Sequence, residues 1–310
     1  MNSKVSVVIP LFNKEAYIEQ TLRSVMNQSY KNIECLIVDD GSTDNSVNIV
    51  NKFIEENQLP WKLLSQSNSG QTKARNNGIR KSVGEYVAFL DGDDLWPSDK
   101  IELQVKAIER DPNVVLVLSA YAIFNNTSSV PRIVRHKTAT KMNARWLDMR
   151  GFGGGLESLG LMKRTTLDQI GLFDENLSTS SGLDLSLRLE KVGKIVLLRQ
   201  LGLYYRISSG QWHGNPVALK RDLLTLKDKH VESNTENVSK LQDAYFFWTA
   251  VRLEGLLAFA KALAKSLATL DLTKLNMCKS LVLRNYHSRA LGWLERKKTR
   301  RFLTTMDLRR

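Results

Sequence analysis

The first 125 residues alternate between short apolar runs and stretches that carry a helical stripe, and this alternation restricts the fold more than any other feature of the chain. VSVVIPLF (5–12) is β-branched and short, as a strand should be. KEAYIEQTLRSVMNQ follows, with Ile18, Leu22, Val25 and Met26 at helical spacing. NIECLIVDD reads as a second strand, and STDNSVNIVNKFIEEN as a second helix with Ser42 or Asp44 as its N-cap. WKLLSQ, GQTKARNNGIRKS and EYVAFLD continue the rhythm as strand, helix and strand. Strand, helix, strand in this order predicts an α/β fold, a mainly parallel sheet flanked by crossover helices. Such sheets bind ligands beyond the carboxyl ends of their strands. Each apolar run here ends in a polar or glycine-rich passage: PLFNKE, DDGSTD, QSNSGQTKARN and DGDD.

Further along, a helix is predicted over 98–109 and a strand over 114–124. NNTSSVPRIVRHKTATK reads as a loop or hairpin, and RGFGGGLESLG as a flexible glycine-rich passage. LGLMKRTTLDQIGLFDENL predicts strand, short helix and turn; DLSLRLEKV a helix; KIVLLRQ and GLYYRI two short strands. Beyond Pro216 the pattern is helical to about Leu294. The expected organisation is one domain over 1–215 with a helical, basic C-terminal extension over 216–310.

DGDD places Asp91, Asp93 and Asp94 within four residues of a chain whose net charge is +13. Their mutual repulsion favours protonation of at least one, unless something positive sits among them. Asp91 and Asp93 are two apart, so an extended backbone points both the same way. Mg²⁺ or Mn²⁺ suits such a pair, because it takes one or two carboxylates and completes its shell with substrate phosphate. Bound there, it neutralises a departing phosphate. Two other readings compete. Asp93 or Asp94 caps the helix after Pro97, or the motif belongs to a haloacid dehalogenase-type phosphatase. The second expects D-x-D-x-[TV] on the first strand, whereas here the motif follows the fourth and Leu95 stands at the T/V position.

Three ordered blocks extend the picture: VSVVIPLFNKEAYIEQTLRSVMNQSYKNIECLIVDDGSTDNSVNIV, NSGQTKARNNGIRKSVGEYVAFLDGDDLWPSDK, and IGLFDENL with DLSLRLEKVG. Together, over roughly residues 4–207, the chain resembles family 2 glycosyltransferases of the GT-A fold. The resemblance implies transfer of a sugar, with inversion, from a nucleoside-diphosphate donor (a UDP-sugar first) to an acceptor hydroxyl. The acceptor would be a glycan or a lipid-linked molecule in cell-envelope glycan assembly. It also implies roles by position. Pro10 and Phe12 line the nucleobase pocket, and Asp40 accepts from the pyrimidine imide N–H, as an acceptor-only carboxylate can. Asn68 and Arg75 approach the donor. Asp91 sits near ribose and metal, and Asp93 is the metal ligand. Each has a structural alternative: Phe12 as core, Asp40 as cap of the next helix, Arg75 as a surface arginine.

One departure stands out. Inverting transfer needs a general base, which in this family is commonly the aspartate of a Glu-Asp pair. Aligned on the leucines and Arg188, the pair is replaced here by Ser181 and Gly182 in SSGLDLSLR. Asp184 serves instead, or a nearby acid such as Glu157 replaces the pair, or the protein binds donor with little turnover. Asp184 has the alternative of capping or orienting its own helix. His213, in YYRISSGQWHGN, is a further candidate ligand for metal or diphosphate, with a surface histidine as the alternative.

Charge and composition bear on partners. The two cysteines, Cys35 and Cys278, are far apart, so no disulfide framework or cysteine metal site is expected. MNSKVSVVIP is too soon interrupted for a signal peptide. No apolar stretch reaches the roughly 18–20 residues that span a bilayer; the longest, 253–270, carries Glu254, Lys261 and Lys265. A cytoplasmic protein is predicted. Between Arg284 and Arg310 nine Lys/Arg face two acids, which is over half of the chain's positive excess. GWLERKKTRRFLTTM mixes these bases with Trp293, Leu294, Phe302, Leu303 and Met306. That mixture suits an anionic membrane, here the cytoplasmic face of the inner membrane, or a solvated terminal helix. The helical tail also offers a homodimer interface. No nucleic-acid-binding module accompanies the bases, so no nucleic-acid partner is expected.

Overall fold

The structure, a computed structural model, describes residues 3–125, 132–134, 156–207 and 216–230. The predicted alternation is present. Strand β1 (Val5–Leu11) leads to helix α1 (Ile18–Met26), β2 (Ile33–Asp39), α2 (Ser46–Glu56), β3 (Lys62–Ser65), α3 (Gln71–Lys81) and β4 (Tyr86–Phe89). Every residue of β1 and β4 is buried, as expected of parallel strands covered on both faces. Strands β3, β2, β1 and β4 lie side by side and run parallel, with Val5 paired to Ile33 on one side and to Tyr86 on the other. Pro10 is tolerated inside β1 because the β1–β4 pairing ends at Val8, before the missing N–H is reached. The stripe of α1 buries Ile18, Leu22 and Val25.

The second half of the sheet is mixed. Helix α4 (Lys100–Ile108) precedes β5 (Val114–Asn125), and β6 (Arg132–Val134) pairs antiparallel with β5. A one-turn helix α5 (Leu156–Leu159), strand β7 (Gly160–Lys163), helix α6 (Arg164–Ile170), helix α7 (Ser181–Val192) and strand β8 (Lys194–Ile207) follow. β7 inserts antiparallel between β4 and β5. β8 runs parallel to β5 along its whole length, so β7 and β6 share the opposite edge of β5. This is the expected mainly parallel α/β sheet with helices on its faces. Two local expectations change. KIVLLRQ and GLYYRI are one strand, β8, in which register shifts near Ser119 absorb the polar interruption. Helix α2 starts at Ser46 after Asn45, not at Ser42 or Asp44; Asp44 still accepts from the Ser46 amide at 3.0 Å.

The core is apolar and continuous across this sheet, from Val5, Val7 and Ile37 to Phe89, Leu116, Leu161 and Leu189. Cys35 is part of it, and burial pushes its thiol pKa up, consistent with an inert small hydrophobe. Cys278 lies outside the described residues. By contacts between Cα atoms the chain forms two compact units, 1–126 with 132–213, and 127–131 with 214–310. Of the second, helix α8 (Pro216–His230) is described. No helix among the described residues is long and apolar enough to cross a membrane.

Candidate active site

The parallel strands β2, β1 and β4 all deliver their carboxyl ends to one edge of the sheet, and the predicted polar passages meet there. The loops after β1 and β2 are tied together. Asn13 donates its amide to Ser42 Oγ (3.1 Å) and accepts from the Thr43 amide (2.8 Å), while the Lys14 amide donates to Ser46 Oγ (2.7 Å). Asn13 holds φ +50°, a conformation that asparagine tolerates better than most residues. Ser42 and Asp44 thus brace the neighbouring loop. Asp40 does the same for the passage before α3: its carboxylate accepts from Gln66 Nε2 and from the amides of Ser69 and Gly70, all at 2.8 Å. Three of its roughly four lone-pair positions are used, so one acceptor position remains. Gly41, at φ +77°, lets this turn pass close to the Asn68 amide.

Besides Asp40 and Asp91, the predicted donor-facing residues are Pro10, Phe12, Asn68 and Arg75. Pro10 is buried near the end of strand β1, and Asn68 is exposed on the loop beside Asp40. Phe12 is 43% exposed, so it is not core; its ring stands at the rim. Arg75 is 3% exposed, which removes the surface alternative, and it reaches into the acidic cluster.

The cluster carries its own cations. Arg75 spans two acids, with Nη2 2.7 Å from Asp91 Oδ1 and Nη1 3.2 Å from Glu157 Oε1. Burial works against its charge, but Glu157 and then Asp91 outweigh it and raise the Arg75 pKa. Gln71 donates to the same Asp91 oxygen at 2.8 Å. Lys14 Nζ lies 2.6 Å from Asp93 Oδ2. Asp94 is different. It is fully buried, accepts from the Arg206 amide at 2.9 Å through Oδ1, and leaves Oδ2 without a partner. Burial, with Asp93 and Asp91 close by, holds its pKa well above the ordinary carboxylate range. So two of the three acids face positive groups and the third is pushed toward its neutral form.

Neither Asp93 nor Asp94 caps the following helix. Helix α4 begins after Asp99, and both acids turn inward. They are held by Arg206, a residue that sequence patterning does not single out. Its Nε donates to the Asp93 carbonyl (2.7 Å) and its Nη2 to Gln20 (2.7 Å), while the guanidinium lies against the rings of Tyr17 and Phe124. Arg206 comes from the far end of β8, 113 residues away from Asp93, which explains why no local pattern reveals it.

The acids near α7 resolve as follows. Asp184 is 0% exposed and lies 2.7 Å from Arg188, whose guanidinium also donates to the carbonyls of Ile170, Gly171 and Leu172. This pair pins α7 to the turn after α6, the structural alternative for Asp184. Glu157, on α5, points to the first turn of α7. A Cβ placed on Gly182 would lie under 3.0 Å from both Glu157 carboxylate oxygens. Ser181 faces Thr72 Oγ1 at 3.3 Å. His213 lies outside the described residues.

For a metal the test is the donor set. No group of three or more His, Cys, Asp or Glu with metal-holding geometry occurs among the described residues. Asp91 and Asp93 remain, and Asp91 Oδ2 and Asp93 Oδ1 accept none of the hydrogen bonds made by these groups. Two such carboxylate oxygens fit Mg²⁺ or Mn²⁺, which need few protein ligands, and do not fit a closed structural site.

The sequence profile described as "Glycosyl transferase family 2" matches residues 6–164, more than half of the 310-residue chain. The chain belongs to glycosyl transferase family 2. Among its relatives, an uncharacterized glycosyltransferase of Rickettsia felis is 32% identical over 176 residues, 57% of this chain and 27% of that one. The uncharacterized glycosyltransferase YibD of Escherichia coli is 37% identical over 156 residues, 48% of this chain and 45% of that one. The Bacillus subtilis glycosyltransferase TuaG, a candidate for teichuronic acid biosynthesis, is 41% identical over 102 residues, 33% of this chain and 40% of that one. The chain therefore spans less than half the length of these curated relatives. Among solved structures, the mannosyltransferase PcManGT of Pyrobaculum calidifontis, in complex with GDP-Man and Mn²⁺, aligns with a TM-score of 0.63 at 18% identity, covering 97% of this chain and 85% of that one. TarS 1–349 of S. aureus, in complex with UDP-GlcNAc, aligns with a TM-score of 0.59 at 18% identity, covering 92% of each chain. These likenesses establish the shared GT-A-type fold. The edge carrying Asp40, Arg75, Asp91 and Asp93 lies within the residues that the family profile spans.

Proposed function

We propose that this chain transfers a sugar, with inversion, from a nucleoside-diphosphate donor, a UDP-sugar first, to an acceptor hydroxyl. The observation that carries the reading is the convergence of Asp91, Asp93, Arg75 and Lys14 at the carboxyl ends of β1, β2 and β4. Cations and carboxylates that interleave at a sheet edge suit a diphosphate and its counter-ion. Solved relatives in complex with UDP-GlcNAc and with GDP-Man and Mn²⁺ support the donor class. In this reading Phe12 offers its ring to the base, and Asp40 takes the imide N–H on its remaining acceptor position. Asn68 lies alongside, and Pro10 shapes the pocket floor. Arg75 and Lys14 hold negative oxygens of donor or protein as charge shifts. Asp91 and Asp93 would hold Mn²⁺ or Mg²⁺, which when bound neutralises the departing diphosphate.

The likeness to TuaG favours a place in cell-envelope glycan assembly. The domain over 1–215 would do the chemistry, while the basic extension over 216–310 meets anionic lipid on the cytoplasmic face of the inner membrane. The replacement of the Glu-Asp pair by Ser181 and Gly182 keeps one other reading in view, a nucleotide-sugar-binding protein with weak turnover.

A thermal-shift screen of UDP, UDP-sugars and GDP-sugars, with and without Mn²⁺, tests the donor class. Ligands of the native state raise the melting temperature by mass action. The expected outcome is a metal-stimulated shift with one nucleotide class, lost in Asp93→Ala without loss of the fold. Equal shifts in Asp93→Ala would reject the metal role. Binding without nucleotide release would favour the weak-turnover reading.

A further inference from the structure

We propose that Glu157 is the base that activates the acceptor, and that Gly182 exists to give its carboxylate room. This rests on the glycosyl-transfer reading above. That reaction needs a carboxylate within reach of the incoming hydroxyl proton. Glu157 is paired with Arg75, and the other described acids of the site hold other parts of it. Asp40 holds the loop before α3, Asp91 and Asp93 face the diphosphate edge, and Asp94 anchors the Arg206 amide. Asp184 is closed off at 0% exposure and braces α7 through Arg188, whereas Glu157 keeps 5%.

Three contacts set Glu157 beside the donor edge. Arg75 bridges it to Asp91. Ser158, the next residue, accepts from the Asp91 amide at 3.3 Å, which ties α5 to the DGDD loop through a second route. Gly182 presents only a hydrogen where any side chain would displace the carboxylate. One chain segment thus supplies an acid at a place where another segment lacks one. In the step itself the acceptor oxygen bonds to the anomeric carbon and the bond to the diphosphate oxygen breaks. The electron pair leaves on that oxygen, and the hydroxyl proton passes to Glu157 and then to water.

The test uses the full chain with Mn²⁺ and a panel of UDP-GlcNAc, UDP-glucose and GDP-mannose. Donor binding is read by calorimetry, and turnover by nucleotide release with water as acceptor. Glu157→Gln is expected to lose about 100-fold or more in turnover while donor Kd stays within about threefold. Gly182→Asp placed in a Glu157→Ala background is expected to regain about tenfold over Glu157→Ala alone, because the new carboxylate enters the vacated space. Should Glu157→Gln not fold, Glu157→Asp keeps the ion pair but withdraws the carboxylate by a methylene, and turnover should fall about tenfold. Full turnover in Glu157→Gln or Glu157→Asp overturns the proposal. So does loss of turnover in a folded, donor-binding Asp184→Asn. A wild-type chain that binds none of the three donors sinks the transfer reading itself, and that failure shows before any variant is made.

Discussion

At the scale of single residues, Arg75 is the group on which the site's electrostatics turn. It is buried with two carboxylates, and removing it leaves both without their cation. Breaking one partner of a buried ion pair commonly costs about 3–5 kcal/mol. Arg75→Met is therefore expected to lower the unfolding free energy, read by urea titration, by an amount of that order. Arg75→Lys should recover only part of it, because one ammonium cannot reproduce the two-pronged guanidinium. Gly182 gives a second check at this scale. Gly182→Ala forces a methyl against the Glu157 carboxylate, and overpacking of this kind costs about 1–3 kcal/mol. In a Glu157→Ala background the cost should nearly vanish, so a double-mutant cycle should show strong coupling. Additive effects would mean that the two residues do not share the space.

Among the elements, α4 carries an unusual passenger. Lys100 is buried in the core side of this helix, donates to Gln104 at 2.7 Å and lies 4.2 Å from the Trp96 ring centre. Burial holds its pKa well below the ordinary lysine value. In the unfolded chain that value is about 10.4. Between the two, the unfolded state carries a proton that the native state lacks, so stability rises with pH across that window. The melting temperature of the wild type, relative to Lys100→Met, should therefore climb from neutral pH toward about pH 10. Parallel curves would show that Lys100 stays charged. Gln104 explains why the helix accepts this arrangement: its Nε2 donates to Val117, Ser119 and Leu159, which locks α4, β5 and α5 together beneath the acidic loop.

At the scale of the whole molecule, charge is distributed unevenly, with an excess of seven positive residues from Arg284 onward. If that tail meets anionic lipid, deletion of 296–310 should release the protein from vesicles of acidic phospholipid at low salt. The wild type should dissociate as salt shortens the screening length to about 8 Å at physiological ionic strength. Retention of the truncated chain at the same level would remove the tail from the account.

Local periodicity explains what could be read without coordinates. β1 to β4, α1 to α3, the polar rim and the DGDD motif are all encoded over spans of a few residues, where side-chain alternation reports burial directly. The start of α2 and the fusion of two short strands into β8 were misplaced, because each depends on a partner: Asp44 answers to the β1 loop, and β8 to the bulged edge of β5. Alignment on the leucines of α7 placed Ser181 and Gly182 where the family carries its Glu-Asp pair, with Asp184 or a nearby acid such as Glu157 as the replacement.

What the sequence determined by itself is the α/β alternation and the edge where the acids gather, since both follow from short-range spacing. Which charges meet there was decided only by the tertiary structure. Lys14 finds Asp93 79 residues away, Arg75 finds Glu157 82 residues away, and Arg206 reaches back 113 residues to the Asp93 carbonyl. No periodicity links such positions. They meet because parallel strands return the chain to the same edge at each crossover, and burial there makes every unpaired charge costly enough to select its partner.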